Sequence, residues 1–343
     1  MTERLSDRLR DFLKTAQGKD VDLAYLRREL HIDPNSSADA NLRTLLSGIL
    51  TKEKLVRGSG RRDGVYKVIK QVQPVRVFVP GRERRPKFEL WFPKDAETQM
   101  ELSFAGHVVV REGDLITLGG VKSKGKTTLC LGFTGANIDK GPVLMGNEYT
   151  QLVPSENGED VYEPAPRFFN RLDTMKEWVE WTDEEGYDKF TLLPVMDDYA
   201  EHVVKDKINI IDWINLDGDK SYDISKVLGS IKANIGRGVA IVALQKGEGA
   251  VNPRGGQFVR DFSDLEILLD GFGDNEDDIL LTIKGCKEKT APIVGKSYAY
   301  TIINNGTQIY NFREVKKCST CRGSGYTKGG ECDTCYGKKW VDK

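Results

Sequence analysis

The stretch Gly120-Val-Lys-Ser-Lys-Gly125-Lys126-Thr127 constrains this chain more than any other segment. Its spacing, G-x-x-x-x-G-K-[ST], lets successive backbone N–H groups turn inward around anionic oxygens, and a helix starting at the lysine adds its positive end. The context is the one such a loop requires, because the apolar run 115–118 precedes it as a strand and Thr128-Leu-Cys-Leu-Gly-Phe follows as a helix. Strand, loop and helix in that order commit the chain to an α/β core with phosphate as ligand. Gly120, Gly125, Lys126, Thr127 and Thr128 are the expected nucleotide-binding residues. Lys126 would reach the β- and γ-phosphates and the Thr127 hydroxyl a Mg²⁺ ion, so ATP and Mg²⁺ are the expected cofactors.

Magnesium bound beside a phosphate loop needs a carboxylate, usually at the end of an apolar strand. Lys207-Ile-Asn-Ile-Ile-Asp212 supplies one. Asp197 and Asp198 compete, but the proline in the FTLLPVM run before them disfavours a central strand, so Asp212 is preferred. Trp213 follows Asp212, which leaves the general base to another strand. Pro142-Val-Leu-Met-Gly-Asn-Glu148 is short and apolar and ends in a carboxylate, making Glu148 the candidate, against the plainer reading of a loop glutamate. The run 238–245 is a third strand and ends in Gln245, an amide able to sense the γ-phosphate or a bound water. The Gly-rich, basic segment after it reads as mobile. Further strands at 265–270 and 278–283 and a terminal hairpin through 298–303 and 307–312 predict a mainly parallel sheet with antiparallel edges over 100–312.

The ends of the chain have another character. Across 343 residues, 51 basic and 52 acidic side chains nearly cancel, but residues 1–70 hold 15 against 10, 311–343 hold 8 against 4, and 155–200 hold 4 against 13. Two basic ends flank an acidic insertion, so net charge alone does not exclude nucleic acid. The 39% hydrophobic fraction excludes wholesale disorder. No apolar run is long enough for a secretion signal or a spanning helix, so a cytoplasmic location without membrane contact is expected. Trp178 and Trp181 lie in the acidic insertion and read as packing aromatics rather than a stacking platform.

Over 1–70 the apolar periodicity predicts three helices and then a hairpin whose tip, GSGRRDG, is basic. This pattern resembles a winged-helix domain, whose third helix would enter a major groove while the hairpin touches phosphates, with protein docking as the other use of that fold. Residues 71–99, with their prolines and charge, read as a linker. At 313–343, Cys318-x-x-Cys321 and Cys332-x-x-Cys335 stand ten residues apart and can place four thiolates around Zn²⁺. So little apolar material surrounds them that the metal must supply much of the folding energy. The pattern CxxCxGxG…CxxCxG resembles half of the zinc repeats of J-domain chaperones, which implies zinc binding and not chaperone activity. Lys316, Lys317, Arg322, Lys328, Lys338 and Lys339 make nucleic acid or an acidic partner conceivable there, against a purely structural knuckle. Cys130 and Cys286 read as packing residues.

The order of Walker A loop, Glu148, Asp212, Gln245, flexible loop and a lysine-bearing strand resembles the RecA-type ATPase core, closest to the hexameric replicative helicases of the DnaB and RepA kind. The resemblance implies an α/β, RecA-like P-loop NTPase with an N-terminal winged helix and a C-terminal four-cysteine zinc module. It casts Glu148 as catalytic base, Asp212 as the Mg²⁺ carboxylate, Gln245 as the coupling residue and 246–260 as the loop facing single-stranded nucleic acid. Lys284 and Lys287 take the place of basic residues that reach a neighbouring subunit's site, as lysine point charges where no arginine occurs. A homo-oligomeric ring or filament follows. The expected function is a Mg²⁺-dependent ATPase acting on nucleic acid, with DNA favoured, as a helicase-like protein of replication or recombination with a replication-protein partner. The alternative is an ATP-gated loader, clamp or regulator without unwinding. The compact modular layout is like that of phage or mobile-element proteins, which would place it in a host cytoplasm.

Overall fold

The computed structural model describes residues 4–60, 63–80, 87–155, 157, 159–214 and 223–343. They form two compact units, Met1–Arg84 and Arg85–Lys343.

In the first unit, α1 (Leu5–Thr15) leads to β1 (Asp20–Asp22) and α2 (Leu23–Glu29). Next, α3 (Ser37–Thr44) runs through a π-helical turn (Leu45–Ile49) into α4 (Leu50–Lys52), and β2 (Val56–Gly58) and β3 (Val65–Val68) close the unit. The strands pair antiparallel in the order β1-β3-β2. Leu9, Leu26, Leu42, Leu46 and Leu50 recur at helical spacing and form the core. Asp22 and Ser36 cap α2 and α3 by accepting from Tyr25 N and Asp39 N. The three helices and hairpin match expectation. The added strand, β1, is three residues long and too short to show alternation. Arg61 and Arg62 at the hairpin tip lie outside the described residues. Buried Asp39 pairs with Arg27 at 2.8 Å and Arg43 at 3.5 Å, so one carboxylate of this unit holds two of its cations.

The second unit begins with β4 (Leu115–Gly120), α5 (Lys126–Ala136), β5 (Val143–Met145), a hairpin of β6 (Thr150–Pro154) and β7 (Asp160–Pro164), α6 (Pro166–Met175), β8 (Thr191–Leu193) and α7 (Tyr199–His202). It continues through β9 (Ile208–Ile214), α8 (Ile224–Asn234), β10 (Val239–Gln245), α9 (Gln257–Phe262), β11 (Leu265–Gly271), β12 (Asp278–Cys286), β13 (Ser297–Ile303) and β14 (Gln308–Lys317). A short hairpin of β15 (Tyr326–Thr327) and β16 (Gly330–Glu331) precedes β17 (Trp340–Asp342). The sheet has ten strands in the order β17-β14-β13-β12-β11-β4-β10-β9-β5-β8.

From β8 to β11 the pairing is parallel, and from β11 outward to β17 it is antiparallel. The antiparallel strands thus lie on one side only, and parallel β8 forms the other edge. Alternate strand residues serve opposite faces. Ile116, Leu118, Ile210 and Ile241 pack with Leu129 and Phe133 of α5, while Leu115, Ile211 and Val242 pack with Leu228 and Ile231 of α8. Burial on both faces explains why the strand sequences are continuously apolar.

Two expected boundaries fall differently. Leu90 and Phe92 are buried in the second unit's core, so the stretch read as linker ends before them. Strand β14 runs on to Lys317, and β17 pairs with its end, so the cysteine module grows out of the sheet edge. Among the described residues no helix is long and apolar enough to cross a membrane.

Candidate nucleotide site and cysteine centre

Strand β4 lies between β10 and β11 and delivers the loop at the sheet's carboxyl edge, where open α/β sheets place their ligands. Gly125 caps α5 with φ of 79°. A Cβ there would also stand 2.9 Å from Ile302 Cδ1, a side-chain end that can shift, so it is the backbone that demands glycine. Lys126 is buried, and its Nζ donates to Gly120 O at 3.0 Å and Val121 O at 2.8 Å. Burial lowers its pKa against the opposing pull of Asp212, Cys130 and Glu148.

The neighbouring strands bring the other groups. Gln245 stands in register with Gly120, and Lys246 N donates to Gly120 O at 2.9 Å. Glu148 follows β5. Asp212 sits on β9, buried, with its Oδ2 accepting from the Tyr149 hydroxyl at 2.7 Å. Burial raises the Asp212 carboxyl, opposed by the neighbouring Thr127 and Tyr149 hydroxyls. Just beyond it the strand bulges, since Val242 pairs with Ile211 but Leu244 with Ile214, and Trp213 takes φ of 42°. A bulky residue in that left-handed region is strained, and strain of this kind gathers at functional sites.

A cavity of about 860 Å³ opens over the loop. Residues 122–128, Glu148, Trp213 and Gln245 line it, together with Arg167 and Arg171, one turn apart on α6, and Arg254. No carboxylate pairs with these three arginines among the described residues. Arg171 Nε donates to Asn305 O at 3.3 Å, and the Thr128 hydroxyl donates to Gly306 O at 2.8 Å, so the β13–β14 turn is tied to both α6 and α5. Four buried side-chain polar atoms lack a partner among the described residues: Asn147 Oδ1, Thr150 Oγ1, Asp212 Oδ1 and Tyr300 OH. None of the four lines the cavity itself: Tyr300 OH lies beside Gly125, Asp212 neighbours Thr127, and Asn147 and Thr150 flank Glu148 and Tyr149 in sequence. Unsatisfied buried groups gathered at one place mark where a ligand completes the structure. An oxygen-only acceptor such as Asp212 Oδ1, next to the Thr127 hydroxyl, suits a hard cation like Mg²⁺.

The expected residues are therefore largely brought together. Gly125, Lys126, Thr127, Thr128, Glu148 and Gln245 line one cavity, with Gly120 at its floor and Asp212 behind. Asp197 and Asp198 are exposed and do not line it. Lys284 and Lys287 are not brought to it either. Because β12 is antiparallel, its last residues lie level with Ile116, about 13 Å of strand away from Gly120. Lys287 pairs with Asp264 at 3.0 Å. Of the segment 246–260, only 247–251 is continuously exposed; Pro253 lies against Gly119, and α9 begins at Gln257. Trp181 is buried and its indole N–H donates to Leu172 O at 2.9 Å, a packing role, whereas Trp178 is partly exposed. Arg167, Arg171, Arg254, Tyr149 and Trp213 were not foreseen. The one sequence signal available was the four-residue spacing of Arg167 and Arg171 inside an otherwise acidic stretch.

At the other site, Sγ atoms of Cys318, Cys321, Cys332 and Cys335 lie within 4.8 Å of one another, all buried. Cys318 and Cys332 are 3.8 Å apart, and Cys321 and Cys335 3.6 Å. Tetrahedral zinc at the usual Zn–S length of ~2.3 Å requires ~3.8 Å between sulfurs, so the thiols fit the ion. Each pair is followed by the same backbone turn. Arg322 and Gly323 have φ of 55° and 82°, and Tyr336 and Gly337 have 47° and 71°. These turns aim N–H groups at sulfur, and Gly325 N donates to Cys321 Sγ at 3.3 Å. Burial raises the Cys321 thiol, but the Gly325 and Gly323 N–H groups and the Cys335 thiol outweigh it and bring it to about 6.

A phosphate loop between strand and helix, at the centre of a mixed sheet covered on both faces, defines the class as a P-loop α/β fold. No family model matches the chain, and no curated protein matches it. Among solved structures it is similar to a KaiC-like protein from hyperthermophilic archaea, Pyrococcus horikoshii OT3, at 17% identity and a TM-score of 0.46, over 66% of this chain and 100% of that one.

Proposed function

We propose that this chain is an oligomeric, Mg²⁺-dependent ATPase with a RecA-type core that acts on nucleic acid as a helicase-like protein. The observation that carries the ATPase reading is the meeting of Lys126, Glu148 and Gln245 on one cavity, with the unpartnered Asp212 Oδ1 behind them. Asp212 and Thr127 would hold Mg²⁺, which would neutralise charge on the β- and γ-phosphates. Lys126 exchanges its two loop carbonyls for phosphate oxygens. Glu148 takes the proton of the attacking water, and the cations of the cavity stabilise the charge that develops on the transferred phosphoryl group. The main-chain carbonyl of Gln245 accepts from Arg254 N at 2.9 Å, which supports a backbone link between the phosphate end of the cavity and the exposed segment 247–251.

For nucleic acid, support comes from the first unit. Its element order α1-β1-α2-α3 followed by the β2–β3 hairpin, with the strands paired as β1-β3-β2, suits a winged helix, with the exposed face of α3 and the β2–β3 hairpin as contacts. The cysteine module would hold Zn²⁺. Lys284 and Lys287, lying away from their own cavity, would act only across a subunit boundary. One observation favours the second reading, an ATP-gated loader or clamp without unwinding: Arg167, Arg171 and Arg254 already furnish cations in cis, so the site need not await a neighbour.

A forked DNA substrate with ATP, run beside Lys126→Ala protein, tests both. Unwinding that disappears with Lys126→Ala supports the helicase. DNA-stimulated hydrolysis without strand separation selects the clamp, and absence of hydrolysis in the wild type rejects the ATPase.

A further inference from the structure

Tyr149 follows Glu148 directly, yet its side chain is turned into the protein. The ring is buried, stands 4.6 Å centre to centre from Phe168 of α6, and lies so close to Gly146 that a Cβ there would come within 2.9 Å of it. From this fixed position the hydroxyl donates to Asp212 Oδ2 at 2.7 Å. Oδ1 of the same carboxylate has no partner among the described residues. A carboxylate group has a broad, soft terminal torsion, so the Tyr149 donor on its rigid ring fixes Oδ2 and leaves the second oxygen beside the Thr127 hydroxyl. Leaving that oxygen buried and unpaired is costly unless a further group completes it.

We propose that Tyr149 is a positioning residue for Asp212, holding Oδ2 so that Oδ1 is preset for a divalent cation, and that it thereby sets metal affinity rather than nucleotide affinity. This rests on the reading of Asp212 as the Mg²⁺ carboxylate. Groups that orient a metal ligand change metal affinity by about 10–100-fold when removed. The same ring packs on Phe168, between Arg167 and Arg171 in sequence, so the metal carboxylate and the arginine-bearing helix share one rigid contact.

The test uses the full chain and a fluorescent ATP analogue followed by anisotropy, first in EDTA and then across a Mg²⁺ titration. Tyr149→Phe keeps the ring and deletes the hydroxyl. The expected result is an unchanged affinity in EDTA and a half-saturating Mg²⁺ concentration raised about tenfold. An unchanged Mg²⁺ requirement overturns the proposal, as does an equal loss with and without metal, which is what a merely structural ring would give. Should Tyr149→Phe fail to fold, the double variant Tyr149→Phe/Asp212→Leu, which removes both polar partners, decides: recovered folding upholds the pair, and continued unfolding overturns it. Wild-type protein that binds the analogue no better than Lys126→Ala would instead remove the nucleotide reading itself.

Discussion

In the cysteine module four buried thiols take the place of a hydrophobic core, with Val341 as the one hydrophobic side chain among the described residues packed against them. The phosphate-loop site is the reverse. It sits at the carboxyl edge of a sheet buried on both faces, and Asp212 behind it and Tyr300 beside Gly125 each keep a buried polar atom unpartnered among the described residues. One region would use its ligand to fold, while the other folds first and keeps a place for its ligand at some cost in stability. Ligand removal should therefore unfold the first and merely empty the second.

The largest effect expected from this contrast is on the cysteine module. Structural zinc contributes about 10–16 kcal/mol to folding of small zinc modules. Chelation, or Cys321→Ser, should release one zinc per chain and expose 318–342 to proteolysis, while affinity for nucleotide stays within about threefold of wild type, roughly 0.7 kcal/mol. Limited proteolysis with zinc quantitation and an anisotropy titration reads both. Loss of nucleotide binding together with zinc would break the contrast, and β17, which joins the module to the sheet edge at β14, would be the route.

Next in size is Glu148→Gln. A general base contributes about 10²–10⁴-fold, so kcat for ATP hydrolysis should fall by that factor while nucleotide affinity and melting temperature hold. A single-turnover rate equal to wild type would return Glu148 to a loop glutamate and leave the cavity a binding site only.

The two regions also differ in how far they could be read from sequence. The cysteine centre is written in 18 consecutive residues, because its ligands are brought together by local turns. The nucleotide site was legible only where a group ends a parallel strand beside the loop: Glu148 after β5, Asp212 on β9 and Gln245 on β10 each carry an apolar run before them. Arg167 and Arg171 come from a helix inserted between those strands, with only their four-residue spacing as a sign, and the turn 304–306 comes from an antiparallel hairpin to which no spacing points. Lys284, expected to reach a neighbouring subunit's site, lies away from its own loop because β12 runs antiparallel. Strand direction is a tertiary property that periodicity does not carry.

A smaller effect is expected at Gly125. Alanine there meets an unfavourable φ, costing about 1–2 kcal/mol, before any displacement of the Ile302 side chain is counted. Urea unfolding should register it, with zinc content unchanged. Gly125→Ala with wild-type stability would show that the loop can adopt another path and is less fixed than the cysteine turns.

The finest division lies between two buried carboxylates with opposite surroundings. Asp39 accepts from Arg27, which with the Asn35 N–H and Arg43 outweighs burial and holds its pKa below the ordinary carboxylate value. Asp212 is buried beside the Thr127 and Tyr149 hydroxyls with no cation in contact among the described residues, and burial raises its pKa. The signs follow by linkage. Asp39 contributes stability above the ordinary carboxylate range, and that contribution is lost as pH falls through its depressed folded value. For Asp212, whose folded value is raised, the contribution is complete below the ordinary range and is lost as pH rises through the folded value. Asp39→Asn should therefore lower the melting temperature at neutral pH, with the difference shrinking in acid. Asp212→Asn should raise it at neutral pH in nucleotide-free protein, again with the difference shrinking in acid, because the amide carries no charge to bury. Melting curves of both variants across acid to neutral pH check this. If Asp212→Asn is the less stable protein at neutral pH, the Tyr149 hydrogen bond outweighs the burial of charge, and the site costs the fold less than its unpaired atoms imply.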